Sequence, residues 1–160
     1  MTRAIIRVMN DAILPSTDER VPRATAALVN NRIQARTLHD VSRFIGADPV
    51  FIDERILELH REWDIERTLE ANAASISLLG LGLGLFVDRR YFLLPAAVSV
   101  FLLQHALQGW CPPLPLLRRL GLRTSAEIHN EIIALRILRG DFLDRVSYPE
   151  DALASARNWV

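Results

Sequence analysis

Cys111 is the side chain best suited to covalent chemistry in this sequence, because the chain contains a single cysteine. A thiol there could accept a persulfide or another small sulfur species if its pKa were depressed and solvent reached it. Its place at the C-terminal end of an apolar helix opposes that chemistry, because the negative end of the helix dipole disfavours a thiolate. The second interpretation, which the sequence favours, is a small packing residue.

Gln104, His105 and Gln108 are polar side chains near the end of an otherwise apolar run at 91–110. His105 and Gln108 are three positions apart, so they share a helical face and could hydrogen-bond to a neighbouring helix or to a second copy. They also lie in the last two turns of the run, where interfacial water is within reach. We predict packing or interfacial solvation for these residues rather than proton transfer.

No other group of residues has the spacing of a catalytic or metal site. The four histidines are scattered, without a pair at metal-ligand spacing. The single cysteine excludes an intramolecular disulfide and a multi-cysteine zinc site. A formal net charge of zero argues against nucleic acid as a partner. We therefore predict no metal, no cofactor and no nucleic-acid partner, and enzymatic activity has no support.

The strongest pattern in the chain is a pair of charge-free stretches at 71–87 and 91–110. As helices rising about 1.5 Å per residue they would extend roughly 26 and 30 Å, against a hydrocarbon core of about 30 Å. Only Asp88, Arg89 and Arg90 separate them, so the helices must be antiparallel neighbours. A soluble helix normally keeps a polar face, and neither stretch has one. The pattern predicts a two-helix transmembrane hairpin; the alternative is a hairpin buried inside a soluble bundle.

A stripe of small residues runs down the first of these helices, where Ala73, Ser77, Gly80 and Gly84 recur at steps of four, three and four. In lipid the hydrophobic effect does little to join helices, so small side chains that allow close backbone approach supply the packing. In water each glycine would cost about 1 kcal/mol of helix stability relative to alanine. We expect helix packing at these four residues and self-association into a homo-oligomer through this face.

The hairpin divides the chain into four regions. Residues 1–24 contain prolines and a polar run and are expected to be a flexible N-terminal segment. Residues 25–68 form an amphipathic helical region, 69–124 hold the transmembrane hairpin and the Cys-Pro segment after it, and 125–160 hold a helix and a tail. A weak helix signal follows Pro149 in that tail. The predicted fold is therefore all-α, a membrane hairpin flanked by cytoplasmic amphipathic helices.

Two amphipathic helices are expected before the hairpin. The first ends near Gly46, and its buried stripe comprises Leu28, Ala35, Leu38, Val41 and Ile45. The second begins with Asp48 as N-cap and Pro49 as its first residue, and its stripe comprises Ile52, Ile56, Leu59 and Trp63. We expect the second helix to pack against the first and to continue without a break into the apolar run. Alternatively, Trp63 lies at the level of the lipid headgroups.

The helix after the hairpin begins with a capping box formed by Thr124 and Glu127. Gly140 ends it, and its apolar stripe comprises Ile128, Ile132, Leu135 and Leu138.

The distribution of arginines predicts sidedness, because the chain contains no lysine. Of the arginines nearest the hairpin, three precede it, three follow it, and two lie in its turn. The excess at the outer ends predicts that both termini are cytoplasmic, in a bacterial inner membrane. The outer arginines are Arg55, Arg61, Arg67, Arg118, Arg119 and Arg123.

The order of motifs around the hairpin is distinctive: a glycine-rich helix, a short turn, a helix ending in Cys111 and Pro112, then Leu120, Gly121 and Thr124. Over residues 66–124 it resembles the two-helix transmembrane domain of YgaP-like inner-membrane proteins, a domain of unknown function. The segment between the Cys-Pro and Leu-Gly motifs is longer and richer in proline here than in that family. Some relatives join the hairpin to a rhodanese sulfurtransferase domain, which these 160 residues do not contain.

The leading functional hypothesis is a non-enzymatic scaffold or accessory module. Its partners would be the lipid bilayer and either a second copy or another membrane or cytoplasmic protein. The second hypothesis is sulfur handling at the membrane through a persulfide on Cys111.

Overall fold

The structure, a computed structural model, describes residues 15–141. This part of the chain is helical and contains no β-strand, which confirms the all-α prediction. Its helices are α1 (Arg20–Arg23), α2 (Ala27–Ser42), α3 (Pro49–Arg61), α4 (Ile65–Phe86), α5 (Leu93–Gln108), α6 (Leu114–Arg119) and α7 (Ser125–Arg139), with a 3₁₀ turn at Arg89–Phe92. Residues 1–14 and 142–160, which include the helix signal after Pro149, lie outside the described residues.

Helices α4 and α5 form the antiparallel hairpin, and caps are found at its start, in its turn and at its end. The carboxylate of Asp64 begins α4 by accepting a 2.7 Å hydrogen bond from the backbone N–H of Arg67. Asp88 caps the 3₁₀ turn in the same manner. Gly109 ends α5 in the left-handed conformation, with φ at 73°. The hairpin helices are long and apolar enough to cross a membrane.

Helices α3 and α7 share a hydrophobic core, which consists of Ile52, Ile56, Leu59, Ile128, Ile132 and Leu135. The stripe expected on α3 is therefore buried, but against α7 and not, as expected, against α2. Trp63 does not belong to it, because α3 ends at Arg61. The Trp63 ring is 52% exposed, and the guanidinium of Arg67 lies over it at 4.6 Å from the ring centroid.

The expectation of a buried apolar stripe on α2 is wrong. Three of its members are 71–72% exposed, namely Leu28, Leu38 and Ile45. The buried residue of α2 is Ile33, and the polar Asn30 and Thr37 lie on the same side of the helix. Both polar side chains accept hydrogen bonds from buried arginines. The inward face of α2 is polar because it faces those guanidinium groups.

A break between α3 and α4 also differs from the expectation of one continuous helix. The backbone of Glu62 is extended, with ψ at 134°. Its side chain binds Arg123, and the next helix begins where the backbone N–H of Ile65 donates a 2.8 Å hydrogen bond to the carbonyl oxygen of Arg123. The helix is interrupted here because the Glu62 carboxylate and the Ile65 N–H both bind Arg123, in the segment that precedes α7.

Two local expectations need smaller corrections. Gly46 is left-handed as predicted, with φ at 73°, but it lies in the turn that follows α2, which already ends at Ser42. In the described part of the segment expected to be flexible, α1 is a helix and its Val21 is 1% exposed.

A second hydrophobic core lies where the hairpin joins the remaining helices. It consists of Val21, Ile65, Leu69, Cys111 and Leu114. Its members come from α1, the start of α4, the turn after α5 and the start of α6. This core fixes the base of the hairpin to the chain segments on both sides of it.

Candidate functional site

The outer surface of the hairpin is the largest unusual feature of the molecule. Eighteen-residue windows in the two candidate spans are only 22% and 6% buried. The most exposed side chains are large and apolar: Phe86 is 88% exposed, Leu93 72%, and Leu78 and Leu85 each 70%. The core helix of a soluble protein would be mostly covered, so a continuous apolar surface of this kind needs a covering other than water.

The predicted small-residue stripe lies on the inner face of the hairpin. A Cβ atom added at Gly80 would lie 2.7 Å from Cδ of Pro95, and one added at Gly84 would lie 2.7 Å from the Phe92 ring. Ala73 is also buried, and Ser77 is half-buried. The second half of the same hairpin therefore packs against this face at Gly80 and Gly84, and self-association into a homo-oligomer stays a prediction from the sequence.

The three polar residues of α5 do not share one environment. His105 is 6% exposed, Gln104 is half-buried, and Gln108 is exposed. A hydrogen bond from His105 and Gln108 to a neighbouring helix or to a second copy stays a prediction from the sequence. Within the described residues, neither ring nitrogen of His105 has a hydrogen-bond partner.

Arg20 connects α1 with the end of α5 through a contact that the sequence did not predict. Its guanidinium donates a 2.9 Å hydrogen bond to the carbonyl oxygen of Ala106, one of the acceptors left open in the last turn of a helix. The backbone also approaches closely, since a Cβ added at Gly109 would lie 2.3 Å from the Arg20 carbonyl oxygen. Only glycine fits at position 109, both for its positive φ and for this contact.

Cys111 lies in the core at the hairpin base and is 4% exposed. Burial raises the pKa of its thiol. A hydrogen bond with the backbone of Leu114 lowers that pKa, but by less than burial raises it. A sulfur-accepting thiol needs a depressed pKa and access to solvent. The surroundings of Cys111 are those of a packing residue, and sulfur transfer through it stays a prediction from the sequence.

Arg118 is the centre of the first buried ionic cluster and is 1% exposed. Its guanidinium donates two hydrogen bonds to the carboxylate of Glu127, at 2.6 and 2.7 Å. The remaining donors reach the hydroxyl of Thr25, the side-chain oxygen of Asn30 and the carbonyl oxygen of Leu122. This arginine joins α6, α7 and the start of α2 with its hydrogen-bonding capacity largely used.

Glu127 has two functions in this cluster. Besides binding Arg118, it completes the predicted capping box, since its carboxylate accepts a hydrogen bond from the backbone N–H of Thr124 at 2.8 Å. Burial alone would raise the pKa of Glu127. The hydrogen bonds from Arg118 and Thr124 outweigh burial and hold that pKa below its ordinary value.

The second ionic cluster is centred on Glu131, which is fully buried on α7. Arg123 and Arg55 bind its two carboxylate oxygens, the latter at 2.9 Å. Arg123 also binds Glu62 through two nitrogen–oxygen contacts, and these carboxylates raise its pKa above the ordinary arginine value although burial opposes this. The cluster connects the end of α3 with the segment before α7.

Neither cluster was predicted from the sequence, where Arg55, Arg118 and Arg123 were counted as membrane-flanking charges. One signal was present: Glu127 and Glu131 are four residues apart on the helix that also carries the Ile128 and Ile132 stripe. Carboxylates so close to an apolar stripe are partly desolvated and require cationic partners. Their partners come from other helices, which helical spacing alone does not identify.

An open cavity of about 450 Å³ lies between the second half of α2, the turn after it and α3, and we call it the α2–α3 cavity. Phe44 and Phe51 form its apolar wall, and Arg36, Arg43 and Glu54 are among the charged residues around it. Within residues 15–141, no group of three or more His, Cys, Asp or Glu side chains is placed to hold a metal ion.

Comparisons with protein-family models, with curated proteins and with solved structures found no match to this chain. The function is therefore inferred from geometry and chemistry.

Proposed function

We propose that the protein is a small integral membrane protein, in which the α4–α5 hairpin inserts into the bilayer and carries a helical bundle at the membrane surface. The observation that supports this proposal is the apolar outer surface of the hairpin. In water this surface would favour aggregation, whereas hydrocarbon covers it without cost to polar groups, because the backbone bonds of both helices are satisfied internally.

The pattern of side chains at the two ends of the hairpin supports the same arrangement. Trp63 and Trp110, both partly exposed, lie near one end, and Tyr91 lies at the other. Aromatic rings of this kind favour the headgroup region. The apolar length between the ends corresponds to one hydrocarbon core.

We further propose a bacterial inner membrane with both termini in the cytoplasm, which is also what the resemblance to YgaP-like proteins implies. The positive-inside rule supports this orientation through six arginines against two. Arg118 and Arg123 are paired with carboxylates inside the bundle, so fewer than six of the outer arginines are left to face the membrane. Arg61, Arg67 and Arg119 carry the preference against Arg89 and Arg90.

The role that we propose for the bundle is that of a non-enzymatic scaffold or accessory module. Within each of its clusters the arginines and carboxylates satisfy one another's hydrogen bonds, and together the clusters join three helices. Such paired charges suit a rigid interaction domain better than a reactive site. The outward stripe of α2, with Leu28 and Leu38, supplies apolar surface on which a protein partner can bind.

Carbonate extraction tests membrane insertion. We expect the protein to remain in the membrane pellet at alkaline pH, and its release into the supernatant would overturn the proposal. Leu79→Arg, on the exposed outer face of α4, should lower the inserted fraction, since arginine costs about 2.5–3.5 kcal/mol at the centre of a membrane helix. The matched variant Leu116→Arg, equally exposed but on α6, should leave insertion unchanged.

Labelling with a membrane-impermeant maleimide tests sidedness separately. In a Cys111→Ala background, Arg89→Cys should react from the periplasmic side in intact cells, and Leu120→Cys only after lysis. The reverse pattern would overturn the orientation and leave insertion standing. Cross-linking in native membranes tests the scaffold role: recovery of the unassociated monomer alone would contradict it.

A further inference from the structure

Another cavity, of about 310 Å³, lies where the bundle meets the base of the hairpin, between the end of α3, the start of α4 and the first half of α7. We call it the basal cavity. Its floor belongs to the apolar core shared by α3 and α7, through Leu59, Ile128 and Ile132. The rest of its lining is polar and carries both signs of charge, and consists of His60, Glu62, Asp64, Arg67, Ser125 and His129.

The charged residues of the basal cavity leave one charge of each sign without a partner. Glu62 is already neutralised, because Arg123 binds both of its carboxylate oxygens. Asp64 and Arg67 are three positions apart, yet the Asp64 carboxylate accepts only the backbone N–H of Arg67. The Arg67 guanidinium lies over Trp63 instead. Within residues 15–141 neither side chain makes an ion pair, so one carboxylate and one guanidinium remain for a ligand.

The unused atoms of these two groups define the chemistry of that ligand. Trp63 lies against one face of the Arg67 guanidinium and does not use its N–H donors. Such donors bind a phosphate group through paired hydrogen bonds. The second carboxylate oxygen of Asp64 can accept a hydrogen bond from an ammonium group. Asp64 repels a ligand that is only an anion and Arg67 one that is only a cation, so a ligand with both charges fits best.

The positions of the two residues along α4 set the order of charges in the ligand, a step that rests on the proposed insertion of the hairpin. Arg67 is about 6 Å before the charge-free stretch at 71–87, and Asp64 is about 4.5 Å farther from the bilayer. Because the headgroup layer is roughly 5–8 Å thick, Arg67 lies within it and Asp64 at its outer edge. In phosphatidylethanolamine the phosphate is likewise next to the glycerol, and the ammonium is outermost.

We propose that the basal cavity binds the headgroup of phosphatidylethanolamine, taken from the leaflet that faces the bundle. The phosphate accepts hydrogen bonds from Arg67, and the ammonium donates to Asp64. The ethanolamine carbons lie on the apolar floor beside Leu59. A lipid held in this way connects the bundle to the bilayer at the side of the hairpin.

Native mass spectrometry of the full chain, released from vesicles of mixed lipids, tests the selectivity of this site. The vesicles contain equal amounts of phosphatidylethanolamine, phosphatidylglycerol and phosphatidylcholine. We expect one phosphatidylethanolamine to be retained over the others by about two- to fivefold, the range for one partly exposed ion pair. Phosphatidylglycerol has no cation, and the quaternary ammonium of phosphatidylcholine has no N–H donor. Equal retention of the three lipids would contradict the proposal.

Asp64→Asn is the sharpest variant, because asparagine keeps the N-cap of α4 while removing the charge. It should abolish the preference for phosphatidylethanolamine over phosphatidylglycerol, whereas Arg67→Gln should lower the retention of both lipids. Glu70→Gln and Arg61→Gln are the matched controls, since both residues are exposed and neither lines the cavity. They should leave the preference unchanged. If the preference survives in Asp64→Asn, the cavity does not select the lipid.

Two further measurements separate this site from membrane insertion and from a soluble ligand. After carbonate extraction, Asp64→Asn and Arg67→Gln should remain in the membrane pellet, so a failure of lipid selection with full insertion overturns the site alone. Soluble phosphoethanolamine in excess should not displace the lipid, because it lacks the acyl chains that hold the headgroup at the bilayer. Displacement would assign the cavity to free phosphoethanolamine and overturn the lipid as its ligand.

Discussion

Helices pack against one another both in the hairpin (α4 and α5) and in the bundle formed by the other helices, but the two regions place their side chains in opposite ways. The hairpin has its large apolar residues outside and its smallest residues at the contact. The bundle has an apolar core between α3 and α7 and, beside it, buried arginines paired with carboxylates. In the bilayer that we propose for the hairpin, hydrocarbon does not drive apolar side chains into the protein, so close contact at the glycines stabilises the packing of the two helices. In water, the packing of the bundle helices depends on the burial of apolar side chains and on the neutralisation of buried charges.

The clearest way to break this comparison is to remove one buried charge from the bundle. Glu131→Ala leaves Arg123 and Arg55 without the carboxylate that both bind, and should lower the free energy of unfolding of the bundle by about 3–5 kcal/mol. Glu58→Ala is the matched control, since Glu58 also binds Arg55 but its side chain is 69% exposed; it should cost less than about 1 kcal/mol.

Chemical denaturation in detergent, followed by helical circular dichroism, measures the difference. Protease protection of the reconstituted hairpin should be the same in both variants, because the ion pairs of this cluster join Arg55, Glu62, Arg123 and Glu131, which lie outside the hairpin. Equal losses for Glu131→Ala and Glu58→Ala would show that the burial of Glu131 is not what stabilises the bundle.

These two regions also differ in how far the sequence predicts them. The hairpin, its turn and the inward position of Gly80 follow from local pattern, since length, apolarity and residue size are properties of a single segment. The polar inner face of α2 could not be predicted, because Asn30 and Thr37 are inside only on account of Arg118 and Arg123, more than eighty residues away. Long-range ion pairs leave little periodic signal.

The junction between the two regions should be the next most sensitive place. Gly109→Ala must take an unfavourable positive φ, which costs about 1–2 kcal/mol, and must also displace the Arg20 backbone, adding about 1–3 kcal/mol. Gly46→Ala has the same φ and nothing within 4 Å of the added Cβ, so it pays only the first cost. Denaturant midpoints of the two variants measure the contact between α1 and α5, and equal midpoints would contradict it.

Within the hairpin, three glycines of α4 sharpen the comparison. Gly80→Ala and Gly84→Ala force the helices apart at Pro95 and Phe92 and should cost about 1–3 kcal/mol. Gly82→Ala meets nothing within 4 Å and should be neutral or slightly stabilising, because alanine favours helix. Thermal unfolding in detergent, with tryptic cleavage at the Arg89–Phe92 turn as a second readout, distinguishes them. Similar behaviour of all three would mean that the close approach does not hold the hairpin.

The smallest expected effect is a dependence of bundle stability on acid through Glu127. Its pKa in the folded state is held below the ordinary value by Arg118, so the unfolded chain binds the proton more tightly. Stability from this group is therefore complete above the ordinary carboxyl pKa of about 4.3 and is lost as the pH falls toward the folded-state pKa, by at most about 1.4 kcal/mol per pH unit.

Other carboxylates also contribute to the loss of stability in acid. The decisive quantity is therefore the difference between Glu127→Gln and the unmodified protein in how steeply the free energy of unfolding falls with pH. Glu127→Gln should be less stable at pH 7, yet its free energy of unfolding should fall less steeply than that of the unmodified protein between pH 4.5 and 3.5 (window set by the ordinary carboxyl pKa of about 4.3). The hairpin offers no counterpart, since its charges are confined to the turn and the ends. Parallel slopes in the two proteins would mean that the Arg118 pair does not hold Glu127 ionised.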